Sequence, residues 1–340
     1  MALPALRALK FYFPEATIYL VTKNTLSGIF KNIQEIQEII TIPDKISFQN
    51  IFTTARLLRK TRIKQGILFT NSFASALLFR LAGIKKLLGY AKDYRSFLLS
   101  TALPFPENDR HHIHFYLDLV LGFKKKQRSH SEPEEPATLT NTQFSNALVI
   151  TPAEREQVLS RLTELGIGEG MVWVGIAPAA AYGSGKQWLP DRFAQLVQRI
   201  SNELPHVQLL LFGTQKEFPQ IASIAGNGKF PAVFNLAGLL SLRETIVAMS
   251  FCHGFIANDS GLMHVASSLN IPLLALFGPT RPEKSGPLHA ASVVIHYPTD
   301  CGPCLSRQCP FPDHPCMSAI TVEDVFAKLV GVLPVLEKHE

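Results

Sequence analysis

Short, nearly continuous apolar runs alternate along most of this chain with longer segments of roughly 3.6-residue periodicity. "ATIYLVT" (16–22) and "QGILFTN" (65–71) read as strands buried on both faces. "SFQNIFTTARLLRKT" (47–61) and "SFASALLFRLAG" (72–83) read as amphipathic helices, the second closed by Gly83. "DRHHIHFYLDLVLGF" (109–123) reads as another helix, ending near Gly122. There the periodicity stops. Residues 124–143 are polar, charged and proline-bearing, the composition of a linker or surface loop.

The alternation then resumes. "MVWVGIAP" (171–178), "VQLLLFG" (207–213), "GFIAND" (254–259) and "PLLALFG" (272–278) predict strands. "PDRFAQLVQRISNEL" (190–204), with Pro190 in its first turn, predicts a helix, as do "LRETIVAMSFC" (242–252) and "GLMHVASSLN" (261–270). Regular β–α alternation with apolar strands implies an α/β fold of parallel sheets with helices on both faces. The expected division is a first domain over 1–145, including the linker, a second over 146–320, and a final helical segment over 321–340. A length of 340 residues agrees, being too long for one ordinary core.

Composition narrows the class. With 46% hydrophobic and 18% charged residues the chain is globular. No run reaches the roughly 18 apolar residues of a membrane span. The opening "MALPALRALKFYFPEA" carries Arg7 and Lys10 where a secretory signal needs an uncharged core, so a cytoplasmic protein is expected. The net charge of +6 suits an anionic partner. Much of the positive charge falls early, at Arg56, Arg59, Lys60, Arg62 and Lys64, then at Lys85, Lys86, Lys92 and Arg95. No helix-turn-helix, RNA-recognition signature or zinc-finger array is present, which argues against nucleic acid.

The candidate chemistry lies where strands end and helices begin, the edge at which open α/β sheets bind ligands. In "ANDSGLMHVASSLNIP" (257–272), Asp259 and Ser260 close a strand, Ser260 stands at the N-cap, and Gly261 opens the next helix. First-turn N–H groups and the helix dipole favour an anion there, with His264 one turn further along. "APAAAYGSGKQWLP" (177–190) is a second turn of this kind: Gly183 and Gly185 permit close backbone approach, and Lys186 supplies a charge suited to phosphate. It is neither a P-loop nor a GxGxxG fingerprint, which disfavours a nicotinamide-dependent oxidoreductase. Two phosphate-friendly turns in one domain suggest a nucleoside diphosphate, with Glu217 placed to accept from ribose hydroxyls. In "LFGPTRPEKSGP" (276–287), Gly278 and Thr280 offer backbone and hydroxyl contacts at the same edge.

Four of the five cysteines cluster as Cys301, Cys304, Cys309 and Cys316, with His314 among them. The spacing allows a structural zinc knot; reduced thiols and a disulfide or redox role stay open. Cys252 reads as a buried helix cysteine.

"APAAAYGSGKQW", "LLLFGTQKE", "NDSGLMHVASSLNIPLLALFGPTRP" and "CGPCLSRQCPFPDHPCM", with "NSFASALLFRLAGIKKLLGY" and "HHIHFYLDLV" in the first half, resemble the family 9 glycosyltransferases, the heptosyltransferases. The resemblance covers most of the chain. It implies a GT-B fold: two Rossmann-like domains facing a cleft, the last helix (321–338) often returning to the first. It further implies inverting transfer of L-glycero-D-manno-heptose from ADP-heptose to the inner-core heptose of a lipopolysaccharide acceptor carrying lipid A and Kdo. On that basis Lys186 would hold the diphosphate and stabilise the leaving group, and Glu217 the ribose. Asp259, Ser260, Gly261 and His264 would line the donor phosphate site, with no metal cofactor. The enzyme would be a monomer, cytoplasmic and peripheral to the inner membrane, its basic first domain toward anionic lipid.

The chain departs from the family at its start. Members open with a strand and a Gly-Asp turn whose Asp is taken as general base, whereas this chain opens inside the following helix. The resemblance therefore puts that strand and that base upstream of Met1. Losing a central strand would expose two rows of unpaired backbone groups, so a longer chain is the expectation. His111 and Asp93 have the chemistry to line a cleft, but neither is assigned as base. A remnant that binds ADP-heptose or the acceptor without transfer is the competing reading.

Overall fold

The computed structural model describes residues 1–47, 49–107, 109–127, 147–168, 170–180 and 183–333. The chain forms two compact units, Met1–Asn146 and Ala147–Glu340.

The first unit runs α1 (Leu3–Tyr12), β1 (Tyr19–Lys23), β2 (Glu38–Ile42), α2 (Ile51–Lys60), β3 (Gln65–Ile67), α3 (Phe73–Leu81), β4 (Lys86–Tyr90), β5 (Thr101–Leu103) and α4 (Ile113–Gln127). Ser72 caps α3 by accepting from the Ser75 N–H at 3.3 Å, and Gly83 ends that segment with φ +89°, a conformation that suits glycine. The strands are parallel but stand in two sheets, β1–β2 and β3–β4–β5. Here the expected burial of β1 and β3 fails. Both are only half-buried, because each is an edge strand paired on one side. α4 also runs four residues into the stretch read as linker. Lys124, Lys125 and Lys126 sit in its last turn, where cations complement the helix dipole. Residues 128–143 of the linker lie outside the described residues.

The second unit is the more regular. It holds α5 (Pro152–Glu164), β6 (Val172–Ala177), α6 (Pro190–Glu203), β7 (Val207–Leu211), α7 (Phe218–Ile224), β8 (Val233–Asn235), α8 (Leu242–Met249) and β9 (Gly254–Asn258). There follow α9 (Gly261–Ser268), β10 (Leu273–Phe277), α10 (Pro282–Ser285), β11 (Ser292–His296), α11 (Pro315–Ser318) and α12 (Val322–Val332). One parallel sheet orders the strands β11-β10-β9-β6-β7-β8. Numbered within the unit, this is the doubly wound order 3-2-1-4-5-6 read from the β8 edge. Every residue of β6, β7, β9 and β10 is buried, as near-continuous apolar strands require. The apolar face of α12 (Val325, Phe326, Leu329) is buried in this unit's core; the tail beyond residue 333, part of the segment expected to return to the first domain, lies outside the described residues. No helix among the described residues is long and apolar enough to cross a membrane.

Periodicity did not foretell the lock between α5 and α8. The buried Arg243 makes a bidentate pair with Glu154, Nε to Oε1 and Nη2 to Oε2, both at 2.8 Å. Glu154 also closes the α5 capping box with Thr151. The Arg243 hydrogen bond, first among the causes, holds the Glu154 carboxyl at about 2, below its ordinary 4.5. A depressed carboxyl stabilises the fold fully above its unfolded value, and that stability drains as pH falls from about 4.5 toward about 2. Glu154→Gln is expected to cost about 3 kcal/mol at neutral pH, since it leaves a buried guanidinium without its anion. Its thermal midpoint should also depend less steeply on pH than the parent's across that window, which melting curves at stepped pH will read.

Candidate functional site

The switch point of the second sheet lies between β6 and β9, where the direction of strand addition reverses. Two sequence-selected residues meet at their carboxyl ends. Lys186 ends the short 3-10 turn Ser184–Lys186 after β6, and Asp259 follows β9 directly. The Lys186 Nζ lies 2.5 Å from Asp259 Oδ2, with the side chains 14% and 5% exposed. Thr280, beyond β10, donates its hydroxyl to the same Oδ2 at 2.8 Å. Three loops are thus tied through one carboxylate, and a cation is held at the edge where ligands of such sheets bind.

Asn258 and Trp188, which were not singled out from the sequence, hold this arrangement. Asn258, fully buried at the end of β9, donates to Pro178 O at 2.7 Å and accepts from the Trp188 N–H at 2.9 Å. Trp188 is itself fully buried, its indole N–H bonded to Ile320 O at 3.0 Å. A buried tryptophan just after a glycine-rich loop is the signal that could have marked it as an anchor.

Ser260 takes the N-cap position of α9 with extended backbone, but its side chain makes no cap bond. The expected cap is corrected: Ser260 Oγ is buried and has no hydrogen-bond partner among the described residues. A Cβ at Gly261 would meet nothing within 4 Å, so the first turn of α9 opens onto space. His264 is half-buried, one turn into α9. Glu217 lies beyond the carboxyl end of β7, the strand beside β6, where Rossmann-type sheets carry their ribose-binding acid. Its Oε2 already caps its own turn, accepting from the Thr214 N–H at 2.7 Å and hydroxyl at 2.8 Å.

Three glycines have a different reason from the one expected. A Cβ on Gly183 would stand 2.2 Å from Arg307 O, and one on Gly185 2.5 Å from Ser306 O. The close backbone approach is made by the cysteine-rich segment. Gly278 likewise packs on Met317 and Cys316. The Gly185 N–H donates to Arg307 O at 2.8 Å, His314 Nε2 lies 3.0 Å from Gly185 O, and the Leu305 N–H donates to Pro279 O at 3.0 Å. The segment therefore bridges the loops after β6 and β10.

Its four cysteines, with His314, line one cavity of about 110 Å³. All are free thiols. Burial first, then the three neighbouring thiols, pushes the Cys316 thiol up to about 11. Among the described residues, no group of three His, Cys, Asp or Glu is arranged in this structure to hold a metal ion. Cys252 is buried as expected, just past α8, and burial raises its thiol's pKa.

In the first unit, Asp93 sits in the turn after β4 with φ +52°, and the His111 Nδ1 accepts from the Ile113 N–H at 3.3 Å before α4.

The fold and this centre define a Rossmann-type α/β unit that presents a held ammonium and an open helix amino terminus to an anion. The sequence profile of glycosyltransferase family 9 (heptosyltransferase) matches residues 51–314, and the chain belongs to that family. It is 35% identical over 125 residues to lipopolysaccharide heptosyltransferase 2 of Salmonella typhimurium, covering 36% of this chain and 35% of that protein. It is 31% identical over 153 residues to lipooligosaccharide heptosyltransferase 2 of Haemophilus influenzae, covering 44% and 43%. The match thus spans less than half the length of either relative. Among solved structures, E. coli ADP-heptose LPS heptosyltransferase II superimposes with TM-score 0.80 at 24% identity, over 97% of this chain and 93% of that one. A family 9 glycosyltransferase from Veillonella parvula gives 0.78 at 20%, over 97% and 91%. At these identities the likeness establishes the fold.

Proposed function

We propose that this protein transfers a heptose from ADP-heptose to the inner-core heptose of a lipopolysaccharide acceptor, with inversion at the anomeric carbon. The observation that carries the reading is the Lys186–Asp259 pair at the switch point, beside the open first turn of α9. Cleavage of the anomeric bond leaves an oxocarbenium-like sugar and expels ADP with its charge on the diphosphate. The Lys186 ammonium and the α9 amino terminus stabilise that charge as it forms. Asp259 and Thr280 fix the ammonium beforehand, so little reorganisation is needed during reaction. The buried Ser260 Oγ gains a partner when a phosphate oxygen arrives. Glu217 receives the ribose hydroxyls while Oε2 keeps its turn in place. The acceptor hydroxyl must lose its proton to a general base, which is not among the residues gathered here.

The test is direct. The protein is mixed with ADP-heptose and a heptosyl-Kdo₂-lipid A acceptor, and the acceptor mass is followed. A gain of one heptose is expected. Donor binding without any mass gain would replace transfer with a binding-only role.

A further inference from the structure

The four clustered thiols are not equivalent. Cys316 is buried and Cys301 and Cys309 are half-buried, whereas Cys304 is exposed where it lines the shared cavity. Burial, with the neighbouring thiols, keeps Cys316 protonated at neutral pH, and burial alone does the same for Cys252. A thiol attacks a disulfide only as its thiolate and only where it can be reached, so both of these are slow. The thiol in reach of solvent is Cys304, and only Gly302 and Pro303 separate it from Cys301. The chain bends at Pro303, after a turn in which the Gly302 N–H donates to Thr299 O at 2.9 Å. Two cysteines three positions apart across a bend can meet the Cα separation of roughly 4.4–6.8 Å that a disulfide needs.

Cys304 also adjoins a tie to the functional site. Leu305, the next residue, has φ +56°, a left-handed backbone uncommon for any residue but glycine. It is held there with its N–H donating to Pro279 O at 3.0 Å. Thr280, beside Pro279, donates to Asp259 Oδ2, and Asp259 pairs with Lys186. Two residues beyond Leu305, Arg307 O accepts from the Gly185 N–H at 2.8 Å, on the turn that carries Lys186. The chain after Cys304 thus reaches Lys186 along both loops.

We propose that Cys301 and Cys304 form a reversible dithiol–disulfide site, oxidised by low-molecular-weight disulfides such as glutathione disulfide, and that closing it loosens the donor site. The Cys304 thiolate attacks one sulfur of glutathione disulfide; that S–S bond breaks, and one glutathione leaves and takes up a proton. The Cys301 thiolate then attacks Cys304 Sγ in the mixed disulfide and expels the second glutathione. Two protein thiols are oxidised, one disulfide is reduced to two thiols, and both protons end on glutathione. Closing the bond draws the Cys304 sulfur in from solvent and turns the peptide that leads into Leu305. Leu305 then leaves its costly conformation, and its bond to Pro279 goes with it. The effect on the donor rests on the proposed function; the thiol chemistry does not.

The full chain is incubated with glutathione disulfide or with dithiothreitol, alkylated and mapped by mass. Oxidation should leave Cys301 and Cys304 joined, lighter by two hydrogens, with Cys252 and Cys316 still free. The backbone N–H groups of Leu305 and Gly185 should then exchange hydrogen faster than in the reduced protein, which reads the loosened tie without any ligand. In calorimetric titration the oxidised form should bind ADP about fivefold or more weakly, and dithiothreitol should restore it. By reciprocity, saturating ADP should favour the dithiol by the same factor. Cys304→Ser, at an exposed position, should keep the parent's melting temperature and lose every effect of glutathione disulfide, whereas Cys309→Ser should retain them. Failure to form the Cys301–Cys304 bond, or a bond to Cys309 or Cys316 in its place, overturns the site. So does release of a metal ion on oxidation, read with a chelating dye, since the cluster would then be a metal centre. A Cys301–Cys304 bond with unchanged exchange and unchanged ADP affinity overturns the switch. Faster exchange in a protein that binds ADP in neither form upholds the site and removes the donor reading instead.

Discussion

Lys186→Met is expected to lower kcat/KM for heptose transfer by about 10²–10³-fold, the cost of removing one preorganised charge-stabilising donor. Methionine keeps most of the stem and removes the ammonium, so the loss reads the charge and not the volume. The same change strips Asp259 of its cation in a site where the carboxylate is 5% exposed, and a broken buried pair destabilises by about 3–5 kcal/mol. A slow variant could thus be slow only because the loops have loosened. Lys186→Met combined with Asp259→Asn separates the two causes. Asparagine retains an acceptor for the Thr280 hydroxyl and leaves no buried charge, so the thermal midpoint should return most of the way. The transfer rate should not. Recovery of both would reduce Lys186 to a structural tie and end its assignment to the leaving group.

The second unit could be read closely from the sequence because its strands are buried on both faces. Continuous apolar runs such as "VQLLLFG" leave little choice of element, and β6, β7, β9 and β10 begin and end within two residues of the expected ends. The first unit was less legible. Its β1 and β3 are half-buried edge strands, and its α4 ends in three lysines that resemble a linker until the helix dipole is considered. At the site, Lys186 and Asp259 stood out because charge at a strand-to-helix turn has few structural uses. Asn258 did not, since a buried asparagine that bonds two backbones looks in sequence like any strand-ending polar residue. The part played by the backbone of the cysteine-rich segment was hidden for a related reason. Thiol spacing draws attention to metal, whereas its visible work is done by the backbone at Ser306 and Arg307, which no side-chain motif announces.

That work sets the other large effect. Gly183→Ala would place a Cβ 2.2 Å from Arg307 O at a backbone φ of +145°, so the new methyl meets backbone in a conformation that only glycine adopts readily. Gly185→Ala repeats the clash at 2.5 Å from Ser306 O. Neither alanine can be accommodated unless the loop after β6 and the cysteine-rich segment part, and Lys186 lies on that loop. Each variant should therefore weaken ADP binding by at least about tenfold, or about 1.4 kcal/mol. The six-stranded sheet, built from other contacts, keeps its far-ultraviolet circular dichroism. Gly331→Ala in α12 is the control: its Cβ would meet nothing within 4 Å, and alanine in a helix should hold or slightly raise the melting temperature. Calorimetric titration with ADP distinguishes the outcomes. Parental affinity in Gly183→Ala would mean the clamp does not position Lys186. Weakened binding in both clamp variants, beside an unchanged Gly331→Ala, would make the backbone of the cysteine-rich segment part of what holds the donor site.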